Sequence, residues 1–158
     1  MITVLESINL STQYLMQTGI ESPRTNAELL LANILDCKRL DLYISFERPL
    51  SEDEVKKYRE HIKRRGNFEP LQYIVGTVEF YGLELKVNPS VLIPRPETEL
   101  LIEKILIQFS KEEKLIILDI GCGSGNIAIA LAVNLPSSKI VSTDVSEEAL
   151  LVAKENSE

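Results

Sequence analysis

The sequence predicts an α/β protein that consists of an N-terminal helical bundle, a β-hairpin connector and the first β-α-β-α half of a parallel-sheet domain. Apolar residues recur at helical spacing through residues 1–65, and two short β-rich runs follow. A strand that is apolar on both faces then leads into a glycine-rich turn. We therefore expect a helical bundle over 1–68, a hairpin connector over 69–95 and an incomplete α/β domain over 96–158.

The first part of the sequence contains signals for four helices. Ser22–Pro23 is predicted to be an N-cap followed by proline in the first turn, where its missing N–H leaves nothing unpaired. A short helix is expected around 39–45. Ser51 with Glu54 forms a capping-box pattern that opens the last helix, and Gly66 is placed to end it. The apolar residues that indicate the first two helices are Val4, Leu5, Ile8, Leu15, Met16, Leu29, Leu30, Leu31, Ile34 and Leu35.

The last of these helices is basic, whereas the whole chain is acidic. The formal net charge of −7 argues against strong nucleic-acid binding, because phosphate binding depends on clustered Lys and Arg. Two interpretations of the basic helix stay open: a solvated face with cations near its dipole-negative end, or an interaction surface for an acidic partner or RNA. Its cations are Lys56, Lys57, Arg59, His61, Lys63, Arg64 and Arg65.

The N-terminus and the cysteines indicate the compartment. No run approaches the roughly 18 apolar residues of a membrane helix. Residues 1–9 lack the basic start and apolar stretch of a signal peptide. Cys37 and Cys122 lie in unrelated contexts and suggest no disulfide framework. We therefore expect a cytoplasmic protein with no membrane association.

A β-hairpin is predicted after the helices. Two β-rich runs, Val75–Phe80 and Leu83–Val87, are separated by Tyr81–Gly82. An amphipathic helix over 97–109 then leads into the last part of the chain.

Strands and helices alternate in that last part. Residues 115–120 are apolar on both faces, as in a central parallel strand covered by helices. A helix to about Val133, a strand over Ile140–Asp144 and a helix capped by Ser146 follow. This order predicts parallel strands joined by a right-handed crossover.

A glycine-rich turn, Asp119-Ile120-Gly121-Cys122-Gly123-Ser124-Gly125-Asn126, connects the first of these strands to its helix. Glycines let the backbone turn tightly and approach a ligand, and the helix start offers unpaired N–H groups. Asn126 stands where the dinucleotide fingerprint needs glycine or alanine, and no Gly-Lys-Ser/Thr of a nucleotide triphosphate loop is present. The pattern therefore favours S-adenosylmethionine as the ligand.

Asp144 lies at the carboxyl end of the next strand, where doubly wound folds bind adjacent ligand groups. Its carboxylate can accept both ribose hydroxyls of an adenosine, or it can serve as a turn residue ahead of Ser146. Asp119 has the alternative role of satisfying loop amides. Cys122 is interpreted as a small residue tolerated in the turn rather than as a nucleophile, because no partner base is evident.

The chain resembles the release-factor glutamine methyltransferases of the HemK type. The motifs that show this are Ile93–Glu99, Leu118–Gly125 and Thr143–Ser146, with the connector motifs Glu69–Ile74 and Phe80–Gly82. The glycine motif is generic to class I, Rossmann-like methyltransferases, whereas the Pro-Arg-Pro motif joined to it is much more specific. The N-terminal helical bundle is also similar, so the resemblance spans essentially the whole chain.

This resemblance implies methyl transfer from S-adenosylmethionine to the side-chain amide of the glutamine in the Gly-Gly-Gln motif of peptide chain release factors. It implies that the glycine turn contacts the methionyl part of the cofactor and that Asp144 contacts the ribose. The cofactor-binding residues would be Asp119, Gly121, Cys122, Gly123, Ser124, Gly125 and Asp144. The cleft would be bordered by Pro94, Arg95, Pro96, Glu97 and Thr98, unless the prolines merely shape the connector and Glu97 serves the first helical turn.

The family's catalytic motif, Asn-Pro-Pro-Tyr, is absent from these 158 residues and is expected beyond Glu158. We therefore expect the chain by itself to be an inactive part of an enzyme. The alternative is a non-catalytic module that binds a release factor or RNA and has a vestigial cofactor site. With two strands of the sheet present, open apolar surface and self-association are also expected.

Overall fold

The computed structural model describes residues 2–158, which form two compact units that divide between Val75 and Gly76. The predicted fold class is confirmed: a helical part, a hairpin and a β-α-β-α part follow one another. The first unit contains helices α1 (Val4–Gln17), α2 (Pro23–Ile34), a 3₁₀ helix (Arg39–Ile44), α3 (Glu52–Gly66) and α4 (Leu71–Val75). The second contains β1 (Thr77–Phe80), β2 (Leu83–Lys86), α5 (Pro96–Gln108), β3 (Ile116–Ile120), α6 (Asn126–Asn134), β4 (Lys139–Thr143) and α7 (Glu147–Asn156).

The capping box predicted for α3 is present. The Glu54 amide donates to Ser51 Oγ at 3.3 Å, and the Ser51 amide donates to Glu54 Oε2 at 2.8 Å. Two orphan donors of the helix start are thereby satisfied. Acidic residues occupy the first turn and Lys63–Arg65 the last, which complements the helix dipole.

One of the predicted helix-end residues, Ser22, acts differently from the expectation. Ser22 precedes α2, but it lies at a left-handed φ of 49° and its side chain makes no capping bond. Instead Asn26 Nδ2 donates to the carbonyls of Glu21 and Ser22, at 3.0 and 3.1 Å. Gly66 ends α3 as predicted; it is buried, and the next residue, Asn67, is the C-cap.

A buried carboxylate joins α2 to the 3₁₀ helix. Glu28 has no exposed surface and accepts hydrogen bonds from Arg24 Nε at 2.8 Å, Arg39 Nε at 2.7 Å and Tyr43 Oη at 3.0 Å. Burial raises the pKa of this carboxyl, but the hydrogen bonds from Arg39, Arg24 and Tyr43 outweigh it and lower the pKa overall. Glu28 is therefore ionised and fully paired, as a buried charge must be.

The hairpin closes in a tight turn. Tyr81 and Gly82 both have positive φ, 51° and 73°, which matches the twist that two-residue hairpins require. The first strand begins at Thr77 rather than at Val75 as predicted, because residues 71–75 form the unpredicted short helix α4. Ile74 of α4 is buried with the helical core, so this segment packs in the first unit.

Strands β3 and β4 pair in parallel, with Ile116 opposite Lys139 and Ile120 opposite Thr143. One face of β3 is covered and its other face is open: Ile116, Leu118 and Ile120 are 84, 58 and 78% exposed. Their alternation follows from the period of two in a strand. The apolar character of both faces, predicted from the sequence, therefore produces an uncovered apolar stripe.

Within residues 2–158, no helix combines the length and hydrophobicity that crossing a bilayer requires.

Candidate functional site

The glycine turn lies directly over the carboxyl ends of β3 and β4. The amides of Gly121 and Cys122 both donate to the carbonyl oxygen of Thr143, at 2.8 and 3.0 Å. Thr143 is the last residue of β4, so this shared acceptor ties the turn after one strand to the end of the next. In parallel sheets this edge is where ligands bind.

The Asp144 carboxylate faces the glycine turn. Its Oδ2 accepts the Gly123 amide at 2.9 Å, and its Oδ1 accepts the Ser146 amide at 3.0 Å. The hydrogen bonds from Ser146 and then Gly123 lower the pKa of this carboxyl, so it is ionised at neutral pH. Asp144 thus has the turn role considered for it and also points to the glycines. Each carboxylate oxygen retains a second lone pair for a ligand donor.

Glycine is required at the three positions of the turn for different structural reasons. All have positive φ, which L side chains rarely adopt. A Cβ built at Gly121 or Gly123 would meet nothing within 4 Å, so both face open space. A Cβ at Gly125 would lie 3.1 Å from Ile129 Cδ1 and 3.2 Å from the Cβ of Ala153. Gly121 and Gly123 therefore leave room for a ligand, whereas Gly125 allows the turn to pack against α6 and α7.

Most amides of the turn are already engaged. Besides those of Gly121, Cys122 and Gly123, the Gly125 amide donates to the Cys122 carbonyl at 2.8 Å. The amides of Ser124 and Asn126 form no hydrogen bond in the part of the chain that the structure describes. The unpaired donors at this helix start are thus fewer than the sequence pattern suggests.

Cys122 and Ser124 are buried within the turn, and Asp119 before it is partly buried. Burial raises the pKa of the Asp119 carboxyl, and the charge of Asp144 adds to this. Asp119 Oδ2 and Ser124 Oγ are buried without a hydrogen-bond partner in the described structure. Burial also raises the pKa of the Cys122 thiol, with Asp119 and Asp144 contributing. A protonated, buried thiol is a poor nucleophile, in agreement with the interpretation of Cys122 from the sequence.

The segment predicted to border the cleft begins α5. Pro94 is buried, Arg95 precedes the helix without a capping side-chain bond, and Pro96 is the first helical residue. Glu97 lies exposed in the first turn, followed by the half-exposed Thr98. These positions match the structural role considered for Pro96 and Glu97. Their contact with a ligand stays a proposal.

Asn156, near the end of α7, is a site residue that sequence reasoning missed. Its Nδ2 donates to the carbonyl of Ser124 at 2.9 Å, inside the glycine turn. It also exchanges two hydrogen bonds with the main chain of Lys86, at 2.7 and 3.0 Å. An Asn in an amphipathic helix gives no signal for a contact with a residue 70 positions away.

The hydrogen-bonding groups and the open space of this site suit an adenosyl ligand. Open space above Gly121 and Gly123, unpaired amides at Ser124 and Asn126 and the ionised carboxylate of Asp144 surround one edge of the sheet. Such a set can accept hydroxyl hydrogens and hold a carboxylate at a helix start.

Comparison with known proteins finds a family match in each of the two units. Residues 6–76 match the family model of the PrmC N-terminal domain, and residues 111–158 match that of a methyltransferase domain. The chain is 45% identical over 154 residues to the release factor glutamine methyltransferase of Koribacter versatilis, covering 98% of this chain and 55% of that protein. It is 47% identical over 148 residues to the Coxiella burnetii enzyme of the same name, covering 94% and 53%. For the Bacillus subtilis enzyme the identity is 41% over 160 residues, covering 99% and 55%.

The chain thus spans about half the length of the curated relatives that it matches. The methyltransferase-domain match, over residues 111–158, contains the glycine turn, and the matches to these relatives extend over nearly the whole chain. Over nearly its whole length, the chain is therefore similar to the N-terminal part of release factor glutamine methyltransferases.

Proposed function

We propose that this chain provides the cofactor-binding part of an S-adenosylmethionine-dependent enzyme that methylates the Gly-Gly-Gln glutamine of peptide chain release factors. The observation that supports it most directly is the 2.9 Å hydrogen bond from the Gly123 amide to the Asp144 carboxylate. Gly123 and the nearby Gly121 both face open space. The hydrogen bond places an ionised acceptor beside a backbone surface that a ligand can approach.

The chain's residues have distinct tasks in this proposal. Asp144 would accept the ribose hydroxyls through its free lone pairs, and the amides of Ser124 and Asn126 would hold the methionyl carboxylate. When bound, S-adenosylmethionine would supply an electrophilic methyl group. A glutamine amide nitrogen is a weak nucleophile because its lone pair is delocalised into the carbonyl. Acceptors that orient this nitrogen are therefore needed, and the 158 residues contain no Asn-Pro-Pro-Tyr motif to supply them.

Cofactor binding is tested on the 158-residue chain by titrating S-adenosylmethionine against its amide NMR spectrum. We expect shifts at Gly121, Gly123 and Ser124. Asp144→Ala should weaken binding at least about tenfold, because two charge-assisted hydrogen bonds are lost. Glu147→Gln, which neutralises an exposed acid at the start of α7, is the matched control and should bind as the wild type does. Absence of shifts in the wild type would contradict the cofactor assignment.

A module that binds a release factor or RNA without catalysis is the second candidate. The open glycines and the oriented Asp144 favour the enzyme, because a vestigial site has no need of them. A methyl-transfer assay with the product of the whole open reading frame and a purified release factor separates the two. Labelled methyl on the Gly-Gly-Gln glutamine supports the enzyme; binding without transfer supports the module. Cytoplasmic localisation stays a prediction.

A further inference from the structure

One side-chain amide connects three elements of the second unit. Asn156, the last residue of α7, donates from Nδ2 to the carbonyls of Ser124 at 2.9 Å and Lys86 at 3.0 Å. Its Oδ1 accepts the Lys86 amide at 2.7 Å. Both N–H donors of the amide and one acceptor lone pair are therefore in use.

At the hairpin, the Asn156 side chain forms the two hydrogen bonds that a neighbouring strand would otherwise form with the main chain of Lys86. The main-chain N–H and C=O of Lys86, the last residue of β2, both pair with its amide group. The hairpin has two strands, so this edge of β2 has no other strand in the described structure. An unpaired strand edge offers free hydrogen-bonding groups, and Asn156 satisfies those of Lys86.

At the glycine turn, the same amide fixes a peptide group. The Ser124 carbonyl and the Gly125 N–H belong to one peptide plane. The carbonyl accepts from Asn156 and the N–H donates to the Cys122 carbonyl at 2.8 Å. Because both polar ends of the plane are held, the directions of the neighbouring Ser124 and Asn126 amides are set as well.

We propose that Asn156 is a positioning residue that couples the hairpin to the shape of the cofactor turn. The proposal rests on the turn being the S-adenosylmethionine site. Without Asn156 the Ser124–Gly125 peptide can rotate, and the unpaired amides beside it no longer converge on one ligand group. Cofactor affinity should fall about 3- to 10-fold, the change that loss of one hydrogen bond produces.

The test compares three variants of the 158-residue chain by amide hydrogen exchange and by S-adenosylmethionine titration. Asn156→Ala should speed exchange at Gly125 and Lys86 and weaken binding. Asn156→Asp keeps an acceptor for the Lys86 amide but loses both donors, so only Gly125 should exchange faster. The control is Glu155→Gln, which removes the exposed 3.3 Å ion pair to the Lys86 side chain and leaves the hydrogen bonds of Asn156 to the turn and to the Lys86 main chain in place. It should behave as the wild type in both measurements.

Wild-type exchange at Gly125 in both Asn156 variants would overturn the coupling, as would an affinity within about 2-fold of the wild type. Asn156→Asp keeps the test decisive should Asn156→Ala fail to fold. If the wild type binds no S-adenosylmethionine, the proposed function fails, and exchange at Gly125 still decides whether Asn156 holds the turn.

Discussion

Alanine at Gly125 is predicted to destabilise the second unit more than alanine at Gly121. The two glycines have nearly equal φ, +79° and +78°, so alanine meets the same backbone strain at both, about 1–2 kcal/mol. At Gly125 alone the new Cβ would lie 3.1 Å from Ile129 Cδ1 and 3.2 Å from Ala153 Cβ. Overpacking of this kind costs about 1–3 kcal/mol more. We therefore expect a loss of about 2–5 kcal/mol for Gly125→Ala and about 1–2 kcal/mol for Gly121→Ala.

Urea unfolding followed by circular dichroism measures both losses. Ile129→Val removes the Cδ1 atom that the new methyl group meets, so it should recover part of the loss in Gly125→Ala and none in Gly121→Ala. In a cofactor titration, Gly121→Ala should lose more affinity than its loss of stability explains, because its Cβ enters the open space proposed for the cofactor. Equal destabilisation by the two alanines, or rescue of both by Ile129→Val, would refute this assignment of packing and ligand roles.

Three further changes test the electrostatics and packing. Glu28→Gln should lower the free energy of unfolding of the first unit by about 1.5–3 kcal/mol at pH 7, the contribution of a hydrogen bond to a charged group. Because the folded pKa of Glu28 lies below 4.5, this stability is present above pH 4.5 and disappears as the pH falls through the folded value, so urea titrations of the two proteins should converge in acid. Carbon-13 titration should show the Asp144 carboxyl protonating below pH 3.8 and that of Asp119 above it; a common midpoint would be inconsistent with the site geometry. Gly66→Ala should destabilise by up to about 2 kcal/mol, since its Cβ would lie 2.7 Å from Tyr14 Cε1, but in a Tyr14→Ala background it should stabilise by about 1 kcal/mol through helix propensity.

Local signals predicted most of the elements. The capping box at Ser51 and Glu54 works within one helical turn, so the sequence alone determines it. The strand-turn-helix around Gly121 is likewise set by neighbouring residues. The sequence pattern does not indicate helix α4, because five residues are too few to show a helical period. Its last residue, Val75, continues the β-rich run and is therefore predicted to belong to the following strand.

Long-range contacts could not be predicted from the pattern. The sequence pattern gives Gly125 the same predicted ligand contact as Gly121 and Gly123, although its neighbour Ala153 lies in a helix far along the chain. Asn156 is bonded to Lys86 across 70 residues. The cap of α2 is a similar case on a short scale, since Asn26 rather than Ser22 supplies the side-chain bonds. Each of these contacts depends on packing that residue type and spacing do not encode.

The Thr143 carbonyl, which accepts both the Gly121 and Cys122 amides, makes the geometry of the glycine turn depend on the pairing register of the sheet. A slip of β4 by one residue would present Ser142 or Asp144 to those amides and turn every β4 side chain to the opposite face. Substitutions in the middle of β4, such as at Val141, would thus alter the proposed cofactor site without lying in it. Mutational surveys of this family would then find affinity-determining positions deep in the strand as well as in the turn.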